Sequence, residues 1–246
     1  MKQLRRYIRT VLLEDFSLSD MLDFRESNLK FDEDLMILND PKDSKVFILA
    51  DATYVQDKNT WDPEYFSDFV LGMVHLTTML DEPCHGAKAV RRGAAVDGYG
   101  PTLYDAVMEI TPEPIINDRD SVSNEMINMM DFYLKKRGDD VQKQLLDNVD
   151  DGEYGPPNKQ KRHRGKTPDP NDDCTPGDFG KYSGGVKKGS FMQSWEDDPL
   201  SYAYNKDLSP RVKEMLEKGN KFMEKFGLHY WDLRTIASDF FTSRFT

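Results

Sequence analysis

The sequence predicts an α+β or α/β sheet packed by helices, with an irregular insertion and a helical C-terminal part. Three observations carry that class. Between 45 and 96 lie three runs rich in β-branched and aromatic residues, "KVFILADATYV", "DFVLGMVHLTTML" and "GAKAVRRGAAV". From 96 to 138 a glycine turn, a helical pattern, a short apolar run and a second helical pattern follow one another. Beyond 210, apolar residues recur at helical spacing twice. Strands followed by helix, strand and helix imply a crossover between the last two strands.

The elements can be justified in chain order. "MKQLRRYIRTVLLEDF" places Leu4, Tyr7, Ile8, Val11 and Leu12 on one helical face with Arg5, Arg6 and Arg9 largely on the other, a basic amphipathic helix over 1–14. It can dock on the protein's own acidic body, lie on a membrane surface or serve as a leader. Residues 15–43 read as a short helix and loop. The three strands come next, joined by turn-forming stretches at Asp57–Tyr65 and Asp81–His85, as an antiparallel meander.

In "VDGYGPTLYDAVMEI", Leu103, Val107 and Ile110 line one helical face beside Tyr104 and Met108, and Pro112 stops the helix. "PIIND" is a short strand. Ser123 then caps a helix that carries Glu125 in its first turn and Lys135, Lys136 and Arg137 in its last, where the helix dipole favours each sign, before Gly138. The core so defined spans 15–150. The 151–190 stretch holds eight of the sixteen glycines and five of the thirteen prolines, the composition of an irregular loop. In the 191–246 extension, Val212, Met215, Leu216, Gly219, Phe222, Met223 and Phe226 form one helical face. Trp231, Leu233, Ile236, Phe240 and Phe241 form another beyond Gly227.

Charge and cysteine content exclude some functions. With 33 Lys and Arg against 44 Asp and Glu, the net charge of -11 disfavours non-specific binding to nucleic acid or an anionic membrane, so any bound anion must meet a local site. Cys84 and Cys174 lie far apart and outside any C-x-x-C spacing, which argues against a structural zinc or a disulfide framework and fits a reducing compartment. No run of roughly 18 apolar residues is present to span a membrane. The basic run "KQKRHRGK" (159–166) has the charge of a nucleic-acid patch but no interleaved aromatic residue for base stacking, and a solvated loop contacting acidic surface nearby suits it better.

The glycine turn has two readings. A strand that ends in a glycine turn opening a helix points free N–H groups outward at the positive end of the helix dipole, which suits a pyrophosphate. Gly98 and Gly100 are the right types for close approach. Pro101, however, brings no N–H, Asp97 brings a negative charge, and proline in a first helical turn is itself a standard helix start.

The order strands, G-x-G turn, helix, strand and helix ending in "FYLKKRG" resembles the GNAT superfamily of acyl-CoA-dependent N-acyltransferases over roughly 45–140. "FVLGMVHL" looks like that family's third strand, "GAKAVRRGAAV" its fourth, "DGYGPTLYDAVMEI" its cofactor loop and helix, and "PIINDRDSVSNEMINMMDFYLKKRG" its fifth strand and following helix. The resemblance implies a mixed, mostly antiparallel sheet. It also implies acetyl-CoA as cofactor, with Val96, Asp97, Gly98, Tyr99, Gly100 and Thr102 receiving the pyrophosphate. Tyr133 would then protonate the departing thiolate, and Glu82, His75 and His85 are the candidate bases, with no metal involved. Two positions depart from the family: Ala95 stands where it has Gln or Arg, and Met126 where it has Asn.

A second resemblance rests on "GYGPTLYD", "DRDSVSNE", "DDC" at 172–174 and "DDPLSYAYNK" at 197–206. Together these look like uncharacterised virion-associated proteins of large tailed bacteriophages. The basic N-terminus resembles their capsid-targeting leaders, with Leu12-Leu13-Glu14 fitting the Leu-x-Glu pattern of prohead proteases and cleavage expected after Glu14. The resemblances together imply a phage protein with a GNAT-like core, in the virion or in the bacterial cytoplasm during infection, contacting other virion proteins with or without catalysis. An active N-acetyltransferase and a binding module directed at a host factor are the alternatives.

Overall fold

The computed structural model describes residues 34–40, 42, 45–53, 61–78, 86–117, 122–137, 139–146 and 199–245. The 1–14 leader, Glu82, His85, both cysteines and the 151–190 insertion with its basic run lie outside the described residues.

Among the described residues the fold is α+β: a seven-stranded mixed sheet packed by four long helices. The strands are β1 (Leu35–Leu38), β2 (Val46–Asp51), β3 (Val70–Thr78), β4 (Lys88–Ala95), β5 (Ile115–Asn117), β6 (Gln142–Leu145) and β7 (Tyr202–Asn205). A one-turn helix α1 (Pro63–Phe66) precedes β3. The long helices are α2 (Gly100–Ile110), α3 (Asn124–Lys136), α4 (Pro210–Phe226) and α5 (Tyr230–Phe245). Across the sheet the order is β1-β2-β3-β4-β5-β7-β6. Each neighbouring pair is antiparallel except β4 and β5, which are parallel and joined through α2, as a crossover requires.

The expected meander is present, with β2, β3 and β4 inside the three apolar runs. Three strands fall where none was expected. β1, "LMIL", lies in the segment read as helix and loop; all four residues are buried, so the run lacks the alternation that reveals a half-exposed strand. β6 and β7 are four residues each, and β7 comes from the extension yet sits between β5 and β6. Strand pairing across a long sequence gap leaves no local signature.

Alternation along the strands divides the core into two layers. Leu35, Ile37, Phe47, Leu49, Leu71 and Val74 pack with Leu103, Val107, Met130 and Tyr133, beneath α2 and α3. On the other face, Met36, Leu38, Ile48, Ala50 and Met73 pack with Leu233, Ile236 and Phe240 of α5. Helix α4 belongs to both layers: Val212 and Met215 enter the first, Phe222 and Met223 the second. The switch occurs at Gly219, where a Cβ would stand 1.8 Å from the Ile37 carbonyl oxygen, so α4 lies directly on the outer backbone of edge strand β1. Only glycine permits that approach, and the helix covers an edge that would otherwise invite pairing with another chain.

Among the described residues, no helix is long and apolar enough to cross a membrane.

Candidate functional site

The glycine turn forms as expected. Gly98 adopts φ 82, a conformation open to glycine, and Pro101 stands in the first turn of α2, whose start has no side-chain cap. Two of the candidate phosphate donors are used internally: the Val96 amide donates to Leu71 O at 2.7 Å and the Tyr99 amide to Val96 O at 3.0 Å. Thr102 is fully buried in α2. The exposed Asp97 and the half-buried Gly98 and Gly100 make up the outer surface of the turn.

Below the turn, β4 outruns its parallel neighbour. Its last β5 partner is Val90, opposite Asn117, and Arg91–Ala95 continue alongside β3 alone. Two buried polar groups near this parting lack a hydrogen-bond partner among the described residues, the Tyr104 hydroxyl and the Asn117 side-chain amide. Tyr104 Oη occupies the space over Gly93, where a Cβ would meet it at 2.6 Å. Burial raises the Tyr104 pKa, so the group is a neutral donor and acceptor at ordinary pH. An unpaired buried polar group costs about 1–3 kcal/mol, which a polar ligand entering between the strands would offset. Around the glycine turn, Gly98 and Gly100 at its surface and the unpaired Tyr104 and Asn117 below it are groups that could meet an elongated polar cofactor. Among the described residues no group of His, Cys, Asp and Glu side chains is placed to hold a metal ion.

Tyr133 lies at the centre of the α2–α3 interface and is fully buried. Its hydroxyl donates to Asp105 Oδ1 at 2.7 Å and lies 2.9 Å from a second acceptor, the Pro101 carbonyl oxygen. Burial, then the Asp105 charge and hydrogen bond, hold its pKa well above that of a free tyrosine.

Asp105, itself with no exposed surface, also accepts from Arg137 Nη2 at 3.0 Å and Lys206 Nζ at 2.8 Å. Lys206 reaches Glu109 Oε1 at 2.8 Å, and Glu109 Oε2 accepts from the backbone and hydroxyl of Ser209 at 2.8 and 2.6 Å. Arg137 pairs further with Asp140, whose pKa falls because of that hydrogen bond. Burial opposes the charge on Lys206, but Asp105 and Glu109 outweigh it and raise its pKa.

The network follows from helix periodicity. Asp105 and Glu109 are one turn apart on α2, Tyr133 lies one turn before Arg137 at the C-terminal cap of α3, and the two faces meet. Carboxylates at i, i+4 in an otherwise largely apolar helix were the available sequence signal. Its outer wall, with Asp139, Asp140, Lys143, Lys206 and Asp207, lines an open cleft of about 590 Å³.

The remaining candidate, His75, is not beside Tyr133. It stands on β3 opposite Val46 and Arg92, on the α5 face, whereas Tyr133 belongs to the core under α2 and α3. The sheet separates the two. Around His75, Arg91, Arg92, Arg234 and Ser238 line a second cleft of about 170 Å³. Its burial, then the charges of Arg91, Arg234, Arg92 and Lys45, lower its pKa.

Comparison with protein-family models, with curated proteins and with solved structures finds no match to this chain.

Proposed function

We propose that this chain is a GNAT-like bacteriophage protein that performs no acyl transfer and works as an interaction scaffold, associated with the virion. The single observation that carries the loss of catalysis is Tyr133. A general acid for a leaving thiolate must present its proton to the reacting atom. Here that proton is committed to Asp105, the ring is sealed between two helices, and the hydroxyl is locked into a five-charge network. His75 lies across the sheet from it, with its basicity reduced.

The GNAT-like reading itself is supported by the order β1-β2-β3-β4-β5-β7-β6, the parallel pairing confined to β4 and β5, and the glycine turn between β4 and α2. The phage assignment draws on the sequence resemblance alone.

The test of lost catalysis is a thiol-release assay with acetyl-CoA and a panel of amines, including polyamines and lysine peptides. No release above the uncatalysed rate is expected; turnover abolished by Tyr133→Phe would overturn the reading. Mass spectrometry of purified phage particles tests the virion assignment, with the chain expected among the particle proteins and its absence counting against it.

A second reading, acetyl-CoA binding with or without transfer, is favoured by the unpartnered Tyr104 hydroxyl and Asn117 amide where β4 and β5 part. Calorimetry with acetyl-CoA tests it, with Gly100→Asp and Asn117→Leu as variants. Saturable heat lost in both variants would support a retained cofactor site. No heat with the unaltered protein would end this reading.

A further inference from the structure

The cleft around His75 is positively charged on a protein whose net charge is -11. Its walls come from three elements: Val46, Met73 and His75 on β2 and β3, Arg91 and Arg92 at the bulge of β4, and Arg234, Ala237, Ser238 and Phe241 on α5. No carboxylate among the described residues lines it. Among the described residues the three guanidinium groups make no ion pair. Arg92 lies 5.7 Å over the Phe241 ring and Arg234 5.5 Å over Trp231, contacts that hold the groups at the cleft and leave their N–H edges for another acceptor. Trp231, one helical turn before Arg234, is 68% exposed, although a tryptophan of this size is usually covered.

Size narrows the ligand. A volume of about 170 Å³ is below the roughly 300 Å³ of a typical whole-ligand pocket. It suits one oxyanion, which several arginines can chelate with forked hydrogen bonds. The rest of the ligand must lie outside, and the neighbouring surface on α5 is the Trp231 ring, which stays 68% exposed although Arg234 and Tyr230 lie against it. A cationic slot beside an exposed aromatic platform matches a phosphate joined to a flat base.

We propose that this cleft binds a nucleotide unit, its phosphate held by Arg91, Arg92 and Arg234 with the Ser238 hydroxyl, and its base stacked on Trp231. The site is on the opposite face of the sheet from Tyr133 and is independent of the function proposed above. The nucleotide can be free or part of a single strand; both present the same phosphate and base.

Fluorescence anisotropy with a 5′-labelled twelve-residue oligothymidylate, and calorimetry with adenosine 5′-monophosphate, distinguish the two sources. Tight oligonucleotide binding with a weak mononucleotide response supports a strand, and comparable affinities support a free nucleotide. In either case Trp231→Ala should weaken binding by about tenfold, with Trp231→Phe restoring most of it. Arg92→Gln and Arg234→Gln should each make the oligonucleotide salt dependence shallower by about 0.7 in log K against log salt. All these side chains are at the surface, so circular dichroism should show the variants folded.

The proposal is overturned if neither probe binds. It is also overturned if binding is unchanged in these variants, which would move the contact elsewhere, such as to 159–166. Equal displacement of the probe by polyglutamate would likewise overturn it, by showing charge attraction without base recognition.

Discussion

Asp105 shows how much one side chain can organise. It has no exposed surface and accepts hydrogen bonds from Tyr133, Arg137 and Lys206, so its removal takes the most buried carboxylate from both cations and leaves them to Asp140 and Glu109 at the network's edge. Breaking a buried ion pair in this one-sided way typically costs about 3–5 kcal/mol. Asp105→Ala should therefore lower the urea midpoint by far more than Tyr133→Phe, for which loss of one hydrogen bond to a charged group predicts about 1.5–3 kcal/mol. Equal midpoints for the two variants would show that Asp105 is not the hub. Gly219 makes a different kind of demand. Gly219→Ala would drive a methyl into the Ile37 carbonyl, and neither backbone can yield without separating α4 from β1. Helix propensity alone favours alanine by about 1 kcal/mol. A destabilised Gly219→Ala protein would mark the close approach as decisive, and a stabilised one would refute it.

At the scale of elements, α4 is the part that joins the two faces of the sheet, and both of its ends are secured. Ser209 caps its start by accepting from the Val212 amide, and is itself held by Glu109 from α2. At its end, Gly227 takes φ 65 while Leu228 N donates to Met223 O, a left-handed cap that turns the chain into α5. The aromatic cluster of Trp61, Phe66, Phe222 and Phe226 then fixes α1 against the C-terminal half of α4, with Phe66 and Phe222 stacked at 5.2 Å. Ser209→Ala should cost about 1 kcal/mol from the cap, and more if the Glu109 contact is coupled to it. A double-mutant cycle with Glu109→Gln measures that coupling. Additive losses would mean that the cap and the charge network act separately.

For the whole molecule, the buried ionisable groups predict the direction of the pH dependence. Tyr133 and Lys206 both have folded pKa values raised above their unfolded values, of about 10 for tyrosine and about 10.4 for lysine. Each contribution is complete below the unfolded pKa and is lost as pH rises through the folded one, because the unfolded chain releases the proton first. Stability should thus be level toward neutrality on this account and fall above about pH 10. Denaturant midpoints at pH 8, 9, 10 and 11 check this, and Tyr133→Phe should reduce the slope. An undiminished slope in Tyr133→Phe would assign the loss to other groups. The opposite sign holds for Asp140, whose lowered pKa adds stability above the usual carboxylate range that is lost on acidification.

Much of this architecture was legible in the amino acids. The apolar runs of β2, β3 and β4, the Ser123 cap of α3, the proline start of α2 and the Gly227 break between α4 and α5 are local features. Each is set by propensity, periodicity or backbone freedom within a few residues. Tyr133 is singled out differently, by the resemblance of the helix ending in "FYLKKRG" to the GNAT pattern. Its condition could not be read there. That the hydroxyl faces Asp105, that Lys206 arrives from about a hundred residues away, and that His75 stands on the far side of the sheet all depend on long-range pairing. So does the insertion of β7 beside β5, and the meeting of Arg91, Arg92 and Arg234 around one cleft. Local sequence determines which elements form because the forces that make a helix or strand act over neighbouring residues. Which side chains share a buried or charged site is decided only when the sheet closes and its two faces are covered.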